Sequence, residues 1–382
     1  MVPSLARSFA RCLTLSALLT PALGLAANSI EERLAALEQQ LATLARENQT
    51  LRDQLAKPAA PSVTIGGKET KLVLGGFAQI HAETGDAPDS RYAGIHDRFT
   101  LRRARLNLRG NFGREWAFKI ESDFGANTVG ASSGLRAQLT DAYVDWTPHA
   151  AAQVRLGQFK TPFGWEQLMP DTQNPFAERP LVNDRLTVGR QIGLGLSGSI
   201  VGGRVDYSVG AFNGNGVNTS NNDNSDFMTA GRIAAKAWTG TAHGHKGVWS
   251  VGANAFTTRD TGTFTGTRQG FGLDTQFTLG PAALRAEWLR NTFDPVTGAS
   301  SAADGWHLTA LYDVHPDWQL TARYETYDAN TATTGNEDDT WVFGCNYRIN
   351  GSDLFLTLNY FAGDAKFGGH DDRLIGRFQI VF

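Results

Sequence analysis

Arginines at alternate positions of one short segment are the feature of this sequence best suited to bind anions. Arg103, Arg105 and Arg109 share one parity within residues 97–110, with Asn107 at the same parity between them. In a β-strand, alternate residues point to one face and lie about 7 Å apart. Each guanidinium offers a rigid set of N–H donors that fits carboxylate or phosphate oxygens. One face of this strand would therefore form an anion-binding wall.

A second group of basic residues precedes the longest loop of the sequence. Arg155 has the parity expected for the same face, and Lys160 stands at the root of segment 161–189, which is rich in proline and aromatic residues. An ordered loop of this length is usually functional. If it folds toward this face, it lies beside these two cations. The competing interpretation is an ordinary charged wall, in which Glu121 and Asp123 of the next strand balance the arginines.

The elements that must hold these side chains are β-strands. From residue 71 onward the hydrophobic pattern has a period of two, as where Trp116, Phe118 and Ile120 alternate with Lys119 and Glu121. Sixteen such segments are predicted, an even number, as in bacterial single-chain barrels. The predicted strands cover about 71–83, 99–112, 114–124, 135–147, 151–160, 190–201, 203–213, 228–240, 247–260, 268–279, 282–293, 305–314, 318–328, 339–349, 352–363 and 372–382.

The period alone does not say which face is inside, because a soluble sandwich shows the same alternation with apolar residues inward. Three features favour a membrane barrel. Short links alternate with long polar ones, tryptophans gather near strand ends, and the last strand ends at Phe382. Closure of the sheet pairs every backbone group in lipid, and sixteen strands leave a water-filled lumen. We therefore predict a 16-stranded antiparallel transmembrane β-barrel over residues 71–382.

This orientation assigns each face of the arginine segment. Ala104, Leu106 and Leu108 would contact lipid, and the arginines between them would face the lumen. Arg102 has the opposite parity. It must therefore lie above the lipid, extend its head group to the interface, or sit at a β-bulge.

The residues ahead of the barrel are predicted to form three segments. Residues 1–26 have the basic start, apolar centre and small-residue cleavage site of a signal peptide. Residues 27–57 carry apolar side chains at heptad spacing, which favours a short periplasmic coiled coil over a single amphipathic helix lying on the barrel. Asn48 at a core position would fix its register. Residues 58–70 contain prolines and are predicted to form a linker.

Charge and cysteine content limit the possible partners. Cleavage removes Arg7 and Arg11, which lowers the formal net charge from −3 by two, to −5. A nucleic-acid partner is not expected, and any preference for anions must come from local clustering. Cys345 then remains alone, so no disulfide closes the fold. No cofactor or metal is expected, because His243 and His245 have no second ligand cluster beside them.

Several motifs resemble those of the phosphate-selective porin O and P family. They are Asp97-x-Phe99-x-x-Arg102-Arg103-Ala104-Arg105, Trp116-x-x-Lys119 with Asp123, Asp141-Ala142-Tyr143-Val144, and Gly157-Gln158-Phe159-Lys160-Thr161-Pro162-Phe163-Gly164-x-Glu166. The resemblance spans roughly residues 71–382. It implies a homotrimer of sixteen-stranded barrels with an arginine-lined constriction, and it makes Arg102, Arg103 and Lys160 candidate anion contacts. The coiled coil is not part of this pattern.

The function predicted from these features is passive uptake of small inorganic anions, phosphate or polyphosphate, through an outer-membrane porin. The candidate pore-lining contacts are Arg102, Arg103, Arg105, Arg109, Arg155 and Lys160. Two alternatives stay open: a weakly selective general-diffusion porin, and a barrel anchor whose coiled coil contacts the cell wall. A barrel enzyme is disfavoured, because His81 and His96 have no catalytic spacing with their neighbouring aspartates.

Overall fold

The computed structural model describes residues 62–64, 71–126, 128–130, 134–351, 353–364 and 371–382. The predicted signal peptide (1–26) and the predicted coiled coil (27–57) lie outside the described residues, as does most of the predicted linker. Within these ranges, no helix is both long and apolar enough to cross a membrane.

The described chain forms a closed antiparallel barrel, as predicted. Each strand pairs with the next along the chain from β2 to β17, and β17 pairs with β2, which closes the ring of sixteen strands in the described ranges. The strands are β1 Ser62–Thr64, β2 Lys71–Gly85, β3 Arg98–Phe112, β4 Trp116–Asp123, β5 Gln138–His149, β6 Ala152–Lys160, β7 Arg190–Ile200, β8 Val205–Phe212, β9 Met228–Ala242, β10 His245–Thr261, β11 Thr265–Leu279, β12 Ala282–Pro295, β13 Ser301–His315, β14 Trp318–Asp328, β15 Glu337–Asn350, β16 Leu354–Ala362 and β17 Asp372–Val381.

The three-residue strand β1 is an addition to this ring. It pairs antiparallel with Lys71–Val73 at the start of β2. The last strand ends further along β2, where Val381 pairs with Phe77. β1 therefore takes the pairing position on β2 that β17 leaves free, and it supplies backbone partners that would otherwise be missing there.

Short turns and longer connections alternate around the barrel, as the sequence indicated. The predicted strands 228–240 and 247–260 leave a link of six residues, 241–246, but the structure has a two-residue turn there. His243 and Gly244 alone join β9 to β10, with φ angles of 51° and 77°. Two successive positive φ values are typical of a type I′ turn, whose twist matches that of the flanking strands. At the other end, the connections include the longest one, 161–189.

Apolar side chains point outward and carboxylates point inward along the strands. On β4, Trp116 and Ile120 are about half exposed, whereas Glu121 and Asp123 are buried. Trp116 stacks on Trp146 of the next strand, with 6.0 Å between ring centroids. An exposed apolar surface of this kind is stable only in contact with lipid. The predicted orientation, apolar outside and charged inside, is therefore confirmed.

The connection 161–189 folds into the barrel, and we call it the inner loop. It contains helix α1 (Trp165–Leu168), a 3-10 turn (Asp171–Gln173) and helix α2 (Leu181–Leu186). Pro170 and Pro180 immediately precede the last two of these, where the fixed φ of proline favours the start of a turn. Helix α2 packs against β12, β13 and β14.

A β-bulge explains the parity of Arg102. The pairing between β2 and β3 shifts there, because Gln79 pairs with Arg103 while Ile80 pairs with Leu101. Arg102 is the extra residue of the bulge, so its side chain turns inward although its parity is that of the lipid face. Of the three placements open for Arg102, the bulge is the one observed.

Candidate functional site

Carboxylates of the inner loop bind the arginines of β3. Glu178 forms a two-point ion pair with Arg102, whose Nη2 lies 2.9 Å from Oε2, and it lies 3.6 Å from Arg103 Nη2. Asp171 Oδ2 accepts a hydrogen bond of 2.6 Å from Arg105 Nη1, and its other oxygen lies 3.4 Å from Arg103 Nε. All five side chains are buried. These arginines therefore hold the loop against the lumen wall.

The surrounding guanidinium groups keep both loop carboxylates ionised. Burial acts to raise the pKa of Asp171 and of Glu178, because it disfavours the charged form. The charges of Arg105 beside Asp171 and of Arg102 beside Glu178 outweigh that effect and hold both pKa values below their ordinary range. The ion pairs are consequently complete at neutral pH.

Arginines on other strands bind the backbone of the same loop. Arg377 of β17 donates hydrogen bonds of 2.7 and 2.6 Å to the carbonyl oxygens of Asn174 and Phe176. Arg323 of β14 donates one of 3.0 Å to the carbonyl of Glu178. Buried carbonyl groups need such partners, and these donors fix the path of the loop across the lumen.

On the opposite wall, Glu287 of β12 binds the start of α1. Its Oε2 accepts hydrogen bonds from the backbone N–H of Glu166, at 3.1 Å, and from Asn183 Nδ2, at 2.7 Å. The backbone N–H of Trp165 donates to its other oxygen. A carboxylate here satisfies N–H groups that the first turn of a helix leaves without a partner.

An apolar patch inside the barrel provides the rest of the attachment. Phe163 of the inner loop is fully buried and meets Phe256 of β10 edge-on, with 4.7 Å between ring centroids. Val182 and Leu186 of α2 belong to the same buried cluster, as does Leu289 of β12. The lumen wall is therefore not polar throughout. The inner loop is held by ion pairs on one side of the barrel and by apolar packing on the other.

A cavity of about 640 Å³ lies between the inner loop and the wall formed by β2 to β8. Within the described part of the chain, six basic and three acidic side chains line it. The basic ones are Arg105, Arg109, Lys119, Arg155, Lys160 and Arg190, and the acidic ones are Glu121, Asp141 and Asp171. The cavity therefore places charged side chains of both signs beside the inner loop.

Most of the cavity's cations already bind carboxylates. Lys119 Nζ lies 2.7 Å from Asp141 Oδ2, and Arg190 Nε lies 2.7 Å from Oδ1 of the same residue. Arg155 is held by Asp145, at 2.7 and 2.8 Å. These pairs use donors that a passing anion would otherwise contact, so the cations with free donors decide what the cavity binds.

Two basic residues have no carboxylate partner among the residues that the structure describes. Arg109 of β3 is exposed in the cavity, with neither an ion pair nor a side-chain hydrogen bond within those ranges. Lys160 is also without a carboxylate within 4 Å there; its Nζ donates to the carbonyls of Gln167, at 2.6 Å, and Met169, at 3.1 Å. Arg109 is thus the cation most available to a solute.

The six residues predicted to contact anions occupy two different environments. Arg102 and Arg103 lie under the inner loop and do not line the cavity. Arg105 lines the cavity but is bound by Asp171 and by Asp123, the latter at 2.8 Å. The remaining three line the cavity; they are Arg109, Arg155 and Lys160.

The carboxylates that occupy the arginines were not predicted from the sequence. Asp171 and Glu178 lie 66 and 76 residues from the arginines they bind, and no pattern of spacing connects them. A signal was present nonetheless. The predicted inward loop contains acidic residues, and a buried acid requires a cation.

A family model matches this chain, and solved porin structures share its fold. The model of the family described as "Phosphate-selective porin O and P" matches residues 76–255 and 250–381. The chain belongs to this family. Membership and the closed barrel establish an outer-membrane porin, a channel rather than an enzyme.

Solved porin structures share the fold at low sequence identity. The outer membrane channel DcaP of Acinetobacter baumannii is 18% identical, with a TM-score of 0.60 over 84% of this chain and 100% of that one. An anion-selective porin from Comamonas acidovorans is 16% identical, with a TM-score of 0.60 over 82% and 100%. The trimer form of OmpT of Vibrio cholerae is 10% identical, with a TM-score of 0.59 over 82% and 100%.

Proposed function

We propose that this porin conducts small anions, with inorganic phosphate among them, and that Arg109 is the principal anion contact. The observation that carries the proposal is that Arg109 is exposed in the cavity with its donors free in the described structure. Arg155 and Lys160 supply further positive charge beside the inner loop. The anion-selective porin from Comamonas acidovorans has the same fold, which adds support.

A count of charges shows why one free cation matters. Six cations line the cavity against three acidic side chains. Asp123 and Asp145 lie behind the lining and bind two of those cations. With these included, six positive charges face five negative ones in the described structure. Selectivity therefore depends on which cations keep free donors. The net electrostatic field of the cavity is weak, which allows a bound anion to leave the cavity again.

The test is the reversal potential of the purified porin in a planar bilayer under a salt gradient. We expect selectivity for chloride over potassium, and a decrease in chloride current when phosphate is added. Arg109→Gln should lower the chloride-to-potassium permeability ratio by about two- to fivefold, since a unit charge in a watery lumen contributes about 0.4–1 kcal/mol.

Arg290→Gln is the matched control. Arg290 carries the same charge, but by strand alternation it lies on the outer face of β12, where it pairs with Asp304 at 2.9 Å. Its removal should leave the permeability ratio unchanged. Selectivity for cations in the parent protein, or equal effects of the two substitutions, would refute the assignment of Arg109.

We further propose a homotrimer with the N-terminal coiled coil in the periplasm. The trimer form of OmpT supports the first part, because it has the same fold. The pairing of β1 with Lys71–Val73 supports the second, because that end of β2 lies at the short-turn end of the barrel, which is periplasmic in such barrels. Conductance in steps of three, lost on denaturation to monomers, is the expected outcome.

A further inference from the structure

We infer that the cavity favours organic anions with an apolar body, such as small ring-bearing carboxylates, over fully hydrated inorganic anions. This inference rests on the proposed function and specifies its substrate class. It comes from the part of the cavity lining that the charges do not explain: aromatic, prolyl and aliphatic residues line the same cavity as the cations.

Two aromatic rings lie beside the guanidinium of Arg155. That group lies 3.8 Å from the ring centroid of Tyr143 and 5.6 Å from that of Phe159. Leu168 and Pro170 of the inner loop face the same cavity. Asp145 occupies the Nε and Nη2 donors of Arg155, and Nη1 has no partner among the described residues. An anion that reaches Nη1 therefore meets an N–H donor in a cavity whose lining also presents carbon atoms.

A second aromatic ring lies beside Arg105. Phe77 of β2 lines the cavity, and the guanidinium of Arg105 lies 5.3 Å from its ring centroid. Two cations of the cavity thus each have an aromatic neighbour. A volume of about 640 Å³ holds a single-ring solute with water around it.

Inorganic and organic anions interact differently with a cavity that combines cations and apolar surface. Inorganic phosphate holds water on all sides, and contact with carbon removes that water without replacing its hydrogen bonds. An organic carboxylate presents one hydrated end to a cation and an apolar body to the rings. Burial of that body is favourable by about 25 cal/mol per Å². The same cavity therefore weakens binding of phosphate and strengthens binding of benzoate.

The experiment measures block of chloride current by benzoate, acetate and inorganic phosphate in single porin channels. We expect the half-blocking concentration of benzoate to be about tenfold below that of acetate, and below that of phosphate. A tenfold ratio corresponds to ~1.4 kcal/mol, which burial of roughly 56 Å² of apolar surface supplies. Cyclohexanecarboxylate, which has a ring of similar size without aromaticity, should resemble benzoate.

Two substitutions locate the effect. Tyr143→Ser on the wall and Leu168→Ser on the loop should each reduce the benzoate-to-acetate ratio at least threefold. Phe264→Ser is the matched control, because Phe264 lies in the outer turn between β10 and β11 and does not line the cavity. Two sites on separate elements keep the test valid if one variant fails to assemble.

The outcomes separate this inference from the function on which it rests. Equal block by benzoate and acetate, or stronger block by phosphate, in a channel that selects anions overturns the inference alone. A parent channel that selects cations overturns the proposed function and the inference with it. Loss of the ratio in Tyr143→Ser and Leu168→Ser, with Phe264→Ser unchanged, supports both.

Discussion

Arg105 of β3 and Asp171 of the inner loop, 66 residues apart in the chain, face each other with 2.6 Å between Nη1 and Oδ2. Both are buried, and Asp171 also binds Arg179 within the loop. Arg105, which was predicted to contact a permeating anion, is thus bound by a carboxylate of the protein itself. Removal of one partner from a buried pair leaves an uncompensated charge, which makes this contact a sensitive place to test the role of the inner loop.

Asp171→Asn should raise anion selectivity. The substitution removes one negative charge from the cavity and frees donors of Arg103 and Arg105. We expect the chloride-to-potassium permeability ratio to rise by about two- to fivefold, for the same electrostatic reason that Arg109→Gln lowers it. Asp226→Asn is the control, because Asp226 pairs with Arg259 at the exposed outer rim. An unchanged ratio in Asp171→Asn would show that this charge is not felt by permeating ions.

Phe163→Ala should loosen the inner loop without changing the charge of the lumen. Deletion of a buried phenylalanine costs about 3–5 kcal/mol of packing, and here the loss falls on the contact with Phe256. We expect trypsin to cleave after Arg179 or Arg185 in the folded barrel of the variant, whereas the parent resists. Phe264→Ala, in the outer turn, should resist as the parent does. A variant as resistant as the parent would indicate that the ion pairs alone hold the loop.

The ion pairs of the loop should persist under mild acid. Their carboxylates, Asp171 and Glu178, have pKa values below the ordinary range in the folded porin, and about 4 when unfolded. The stability that they contribute is therefore complete above about pH 4 and is lost as the pH falls from there toward the folded pKa values. Resistance of the inner loop to a protease that is active at both pH values should be the same at pH 7 and pH 5. A decrease between those values would contradict the assignment.

Gly157→Ala should weaken the barrel between β5 and β6. Gly157 has a φ of 130°, and a Cβ built on it collides with the carbonyl oxygen of Ala142 on the paired strand. The backbone must shift to accept even one methyl group. We expect the folded band to disappear at a lower temperature on unheated-sample gels. Gly134→Ala is the matched control, since no atom of the described residues lies within 4 Å of a Cβ built there.

The sequence alone determined the barrel, because every strand needs the same two things: an apolar face toward lipid and partners for its backbone groups. Alternation places apolar residues toward lipid, and closure pairs the backbone, so strands such as Ala282–Pro295 and Trp318–Asp328 were predicted to within two residues. These are local demands that each segment meets by itself. The two-residue turn at His243 and Gly244 was not predicted, because the polar residues around it do not indicate which two of them adopt positive φ angles.

The tertiary structure decided which of the predicted arginines remain available. Arg102 and Arg109 lie seven residues apart on one strand, yet Arg102 turns inward at a bulge and binds Glu178, while Arg109 stays open to the cavity. That difference depends on the position of the inner loop, which is distant from β3 in the sequence. Its path is set by long-range contacts with Glu287, Arg377 and Phe256, and strand periodicity carries no information about them, because such contacts exist only once the ring has closed.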